Sequence, residues 1–83
     1  MSVTIHKLKT WPEYFLAVAL DKKTSEIRKN DRDFKVNDLV FLQEYDPANS
    51  KLTGREIATK ITYLTDFEQK ENYVVMSIEK IIG

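Results

Sequence analysis

Eighty-three residues is the size of one domain, and such a chain hides roughly 60–65% of its unfolded surface, enough for a modest core. Thirteen basic residues balance thirteen acidic ones, so no overall field draws the chain to nucleic acid or to an anionic membrane. With no cysteine there are neither disulfides nor thiolate metal sites, which leaves apolar packing to hold the fold and suits a reducing compartment.

Residues 2–9 set Val3, Ile5 and Leu8 among polar neighbours in near alternation and predict a strand. Thr10-Trp11-Pro12-Glu13 then opens a helix. Thr10 is placed to cap it, Pro12 falls in the first turn where a missing N–H is no loss, and Glu13 completes a capping box. Trp11, Phe15, Val18 and Ala19 share one helical face, with Trp11 and Phe15 expected in the core; Tyr14 lies off that stripe. The helix is expected to stop at Leu20-Asp21. The run Phe15 to Leu20 is the longest apolar stretch and is far too short to span a bilayer. The N-terminus shows no signal-peptide pattern, so the expected location is cytoplasmic, with no membrane partner.

Residues 24–29 predict a short strand in which only Ile27 is clearly apolar. Val36-Asn37-Asp38 reads as a turn, with Asn37 suited to a left-handed backbone. Leu39 to Leu42 is unbroken in its apolarity, as expected of a strand covered on both faces. Asp46 to Gly54 carries Pro47, Asn49 and Ser50 and predicts a long polar hairpin loop. Ile57, Thr59, Ile61 and Tyr63 alternate with more polar residues and predict a half-buried strand. A charged connection over 67–72 leads to a last strand, Tyr73 to Ile82, apolar on both faces at its start. A strand, a helix and four further strands make a single α+β domain over residues 1–83. Five short strands most economically curl into a small β-barrel with the helix across one opening, which also protects the sheet edges.

The segment most able to carry chemistry is Lys22 to Arg32, eleven residues with one apolar member. On a strand, Thr24, Glu26 and Arg28 point one way while Ser25, Ile27 and Lys29 point the other, so Glu26 and Arg28 can pair or share a ligand. The plainer reading is a solvated ion pair worth ~0–1 kcal/mol. His6 is the one histidine; without cysteine partners it cannot close a zinc site, and no metal or other cofactor is expected. Thr24 and Ser25 act as nucleophiles only beside a base. The chain has no GxSxG, and two glycines cannot build a phosphate-cradling loop.

The run Asp21-Lys22-Lys23-Thr24-Ser25-Glu26-Ile27-Arg28, following a short helix, resembles the G-x-K-x-x-E-x-R signature of ASCH domains, the activating-signal-cointegrator homology domains related to the PUA RNA-binding barrel. The stretches His6 to Phe15 and Glu26 to Phe34 look like a compact bacterial and phage branch of unknown function. The resemblance covers essentially the whole chain. It implies a PUA-like barrel with a cleft beneath the helix, lined by Lys23, Glu26 and Arg28. Asp21 and Asn37 stand where glycine is usual in that family, and both residue types tolerate positive φ.

Two functional readings follow. In the first the domain binds RNA or a nucleotide: Lys23, Arg28, Lys29 and Arg32 meet phosphate or a base edge, Glu26 accepts from a base amino group or holds Arg28, and Tyr14 or Trp11 stacks. In the second the domain is a hydrolase, since the resemblance extends to small amidohydrolases that remove the acyl group of N4-acetylcytidine with a lysine, a threonine and a glutamate. Lys23 and Glu26 are then the catalytic pair. The threonine nucleophile of those enzymes aligns with Glu26, however, and their distant glutamate has no counterpart placed in this chain.

Overall fold

The computed structural model describes residues 3–81. Its elements are β1 (Ile5–Thr10), α1 (Pro12–Ala19), β2 (Ser25–Lys29), β3 (Leu39–Asp46), β4 (Lys51–Thr65) and β5 (Tyr73–Lys80). The expected strand ends at Ser2 and Ile82 lie outside the described residues. All five strands form one sheet in the order β1-β3-β4-β5-β2. β1 is parallel to β3, and the other neighbours are antiparallel.

β1 and β2 end the sheet on opposite sides, yet they approach each other. Arg28 of β2 donates to the Lys9 carbonyl at 3.0 Å, and Arg32 donates to the Lys7 carbonyl at 3.1 Å. The sheet therefore curls until its outer strands face one another across a seam. Guanidinium groups bridge that seam; among the described residues no main-chain ladder does. The expected barrel is thus a half-barrel, small, mostly β and α+β in class. Lys7 and Lys9 are two apart, so their carbonyls share one strand edge, and the arginines occupy acceptors that a neighbouring strand would use.

The concave side holds the core. Leu8, Val40, Leu42, Ile61, Val74, Met76 and Ile78 project inward from the strands, joined by Phe34 and by Val18 of the helix. Each fully buried aliphatic side chain contributes roughly 1.5–3 kcal/mol of transfer free energy. α1 packs against β3 and buries only Phe15 and Val18.

Several local expectations change. Thr10 does not cap the helix: it remains in β1, paired with Glu44 of β3, and its hydroxyl donates to the Leu8 carbonyl. Trp11 takes the cap position with an extended backbone and no side-chain cap bond, and it is 53% exposed rather than core. Ala19 is exposed as well. β3 alternates instead of being covered on both faces; Val40 and Leu42 are buried while Leu39 and Phe41 are partly open. Among the described residues no second layer covers its outer face.

The long loop also shrinks. Residues 47–50 alone separate β3 from β4, and Leu52 pairs with Tyr45 beyond an irregularity after Gln43 at which residues 53–55 have no register partner. Tyr63 points outward, 62% exposed, because the register slips by one residue between Ile61 and Tyr63. A slip of one exchanges the two faces of a strand, and Leu64 takes the inward place opposite Met76.

Both residues standing in for glycine have left-handed backbones, Asp21 at φ 59° and Asn37 at φ 79°. Asp21 closes the helix in a Schellman arrangement: the Lys22 N–H reaches the Ala17 carbonyl at 2.9 Å, and the Asp21 N–H reaches Val18 at 3.1 Å. Asn37 is exposed, and its N–H donates to the Ile61 carbonyl at 2.8 Å. Asn37→Ala is expected to destabilise the domain by about 1 kcal/mol, while Asn37→Gly leaves it equal or more stable. Thermal melts of the two variants read this directly, and a harmless alanine would contradict it.

Candidate functional site

Glu26 lies on the inner face of β2 and is 5% exposed, whereas Ile27 beside it faces solvent at 61%. A carboxylate removed from water needs partners. Oε1 accepts from Lys23 Nζ at 2.8 Å, and Oε2 accepts from Arg28 Nε at 3.1 Å. Lys23 also donates to the Ser25 carbonyl. The arrangement differs from a solvated ion pair: the acid is buried, and its two cations remain partly exposed at 28% and 29%. The strand alternation placing Glu26 and Arg28 together is as the sequence implies, and Lys23 reaches the same carboxylate from just before β2.

Over this cluster opens a cleft of about 670 Å³ between the start of α1 and β2. That volume suits a nucleoside-sized molecule, since small-ligand sites run to roughly 300–1,000 Å³. Lys23, Glu26, Arg28 and Tyr14 line it. Lys29 and Arg32 do not: Lys29 lies on the exposed side of β2, and Arg32 is engaged at Lys7. Thr24 precedes β2, is exposed and lies outside the cleft; the threonine in its wall is Thr10, whose hydroxyl donates to the Leu8 carbonyl.

Trp11, which helical spacing assigns to the core, lines the cleft from just beyond β1, and so does Lys9, which the sequence does not single out. For Trp11 a signal exists. The residue before a proline is driven into an extended backbone, so Trp11 before Pro12 cannot take its turn on the helical face.

A second buried carboxylate supports the same corner. Glu44 continues the inward alternation of Val40 and Leu42 and lies opposite Thr10. Arg55 grips it with two bonds of 2.9 and 2.8 Å, and the Thr53 hydroxyl adds a third at 2.8 Å. The same guanidinium lies 5.7 Å from the centre of the Phe15 ring, tying the sheet to the helix start. The Arg55 bonds, then that of Thr53, outweigh burial and hold the Glu44 carboxyl below its ordinary value. His6 pairs with Asp38 at 2.9 Å under the Phe34 ring, a strand residue bonded to a neighbour as the sequence suggests. Burial pushes the Asp38 carboxyl up, but the bonds from His6 and the Lys35 N–H prevail and lower it.

Both carboxyls therefore titrate below their unfolded values, near 4.5 for Glu and 3.8 for Asp. The stability they supply is present above those values and is lost as pH falls through the lower, folded ones. Melting temperature is expected to hold steady from pH 7 to about 5 and then to decline with acidification. A melting temperature that rises on going from pH 5 to pH 3 would refute this assignment.

No helix among the described residues is long and apolar enough to cross a membrane. The chain is similar to an uncharacterized 12.9 kDa protein in the GpA 3′ region of Escherichia phage P2, 34% identical over 84 residues. That alignment takes in the whole of this chain and 73% of the phage protein. Residues 5–78 match the model of a domain of unknown function, DUF3850. With nearly all of its strands and the cleft inside that match, the chain belongs to the DUF3850 family.

Proposed function

We propose that the domain is an ASCH-type, PUA-like module that binds a nucleotide, free or within single-stranded RNA, in the cleft between α1 and β2. The observation that carries this reading is the convergence of two cations on one buried carboxylate in a cleft also lined by exposed aromatic residues. Lys23 and Arg28 remain about 30% open, able to meet a phosphate or a base edge. Trp11 and Tyr14, at 53% and 52% exposure, supply surfaces on which a base can stack. Lys29 and Arg32 lie outside the cleft and serve at most the flanking backbone.

The test is titration at low salt with single-stranded RNA and with free nucleosides and nucleotides. Wild type is expected to bind. The double variant Lys23→Ala with Arg28→Ala binds more weakly, and its salt slope flattens by about 0.7 for each phosphate that no longer meets a cation. Absence of binding by every probe would end the reading.

The amidohydrolase reading has one observation in its favour, the 2.8 Å contact between Lys23 and Glu26. Against it, both Glu26 oxygens already accept bonds from cations, and Thr24 lies outside the cleft. Incubation with N4-acylcytidines followed by chromatography for released cytidine separates the two; the binding reading expects none.

A further inference from the structure

The hydrogen-bond donors and acceptors of the cleft narrow what it can accept. Each Glu26 oxygen accepts one cation bond and keeps a second lone pair, but the carboxylate is 5% exposed and lies behind Lys23 and Arg28. An ammonium carries three N–H donors and a guanidinium five. Lys23 uses one on Glu26 and one on the Ser25 carbonyl, leaving one. Arg28 uses Nε on Glu26 and one Nη2 hydrogen on the Lys9 carbonyl, leaving three. Among its charged groups the wall thus offers donors and conceals the Glu26 acceptor, and its neutral side-chain acceptors are the hydroxyls of Thr10, Tyr14 and Ser25. The other carboxylate at the cleft, Glu13, sits exposed in the first turn of α1, where water competes for it.

We infer, resting on the nucleotide-binding reading, that the cleft selects ligands presenting two adjacent acceptor atoms and rejects those presenting an amino group at that edge. The contact to the base thus falls to Arg28 and Lys23 as donors, not to Glu26 as an acceptor. Arg28 is held from two sides, so the end of its guanidinium is fixed before a ligand arrives. A planar fork held in this way suits a bidentate partner. Two sources supply such a pair: the O6 and N7 edge of guanine, or two oxygens of a phosphate. Adenine places an amino group beside N7 and turns one of these contacts into a clash of donors.

The experiment compares guanosine, adenosine, guanosine monophosphate and ribose 5-phosphate by calorimetric titration at low salt. Guanosine binding about tenfold or more tighter than adenosine supports the inference with the base as the source. Ribose 5-phosphate binding as well as the monophosphate, with both nucleosides weak, supports it with phosphate as the source. Adenosine binding measurably and as tightly as guanosine or tighter, with ribose 5-phosphate weak, overturns it while nucleotide binding stands. Silence from all four probes removes the nucleotide reading itself.

Arg28→Lys supplies the second arm, because lysine keeps the charge and loses the fork. The ratio of guanosine to adenosine affinity, taken on one sample so that the folded fraction cancels, is expected to fall towards one. Where guanosine is the preferred probe, an unchanged ratio would show that Arg28 does not read the ligand; where ribose 5-phosphate is, its unchanged affinity would show the same.

Discussion

Leu42→Ala is expected to lower the stability of the domain by about 3–5 kcal/mol, the upper part of the range for such truncations. Leu42 is fully buried in β3, the strand that joins β1 to the rest of the sheet and against which α1 packs. Its neighbours Leu8 and Ile57 are held in register on both sides, so the wall cannot easily collapse into the space left behind. With no disulfide to compensate, a chain of this length has only about 4–12 kcal/mol in total. Urea unfolding reads the result: the midpoint falls sharply while the slope is preserved. Ile27→Ala is the matched control, an apolar strand residue facing water, where the change stays within about 0.5 kcal/mol. Equal losses from the two would mean that the inside and outside of the half-barrel have been assigned wrongly.

Glu26→Gln carries the second large effect, and its signs differ between stability and binding. The amide has one acceptor oxygen where the carboxylate had two, and its nitrogen brings further hydrogens towards Lys23 or Arg28. One cation loses its partner, for a destabilisation of about 1–3 kcal/mol. The cleft meanwhile gains one unit of positive charge. Binding of single-stranded RNA is expected to become steeper in salt, by about 0.7 if the freed cation meets a phosphate. An anchor that never touches the ligand gives this pairing of lower melting temperature with undiminished affinity at low salt. Affinity that drops at every salt concentration, in a variant that remains folded, would instead place Glu26 against the ligand.

Much of the architecture is legible in the residues, and the exceptions have physical reasons. The alternations around Ile5 and Ile57 mark strands because a half-buried sheet imposes a period of two, and the short apolar runs Leu39–Leu42 and Tyr73–Met76 mark the other two. Asp21 and Asn37 mark turns because few other side chains tolerate a left-handed backbone. The outward turn of Tyr63 is not readable: a slipped register reverses inside and outside, and nothing in an alternating stretch reveals where the partner strand slips. The hairpin at 47–50 is shorter than its composition suggests because Lys51 and Leu52 pair with Asp46 and Tyr45, which outweighs local turn preference. For the cleft, strand alternation puts Glu26 and Arg28 on one face, while Lys23, which precedes β2 at the opposite parity, is brought to them only by the resemblance to the family signature. The pairing of buried Glu44 with exposed Arg55 stays hidden because the two are eleven residues apart and meet only after the hairpin forms.

The seam between β1 and β2 has a dynamic consequence. β2 is laddered to β5 on one side only, so every second amide along it faces the gap with no carbonyl opposite. Those amides should surrender deuterium labels in native-state exchange well before their alternates, producing a two-residue sawtooth along 25–29. Because Arg28 both bridges the gap and lines the cleft, an occupant that bonds its spare hydrogens tightens the latch on Lys9. The sawtooth would then flatten on ligand addition, first at the amides nearest Arg28.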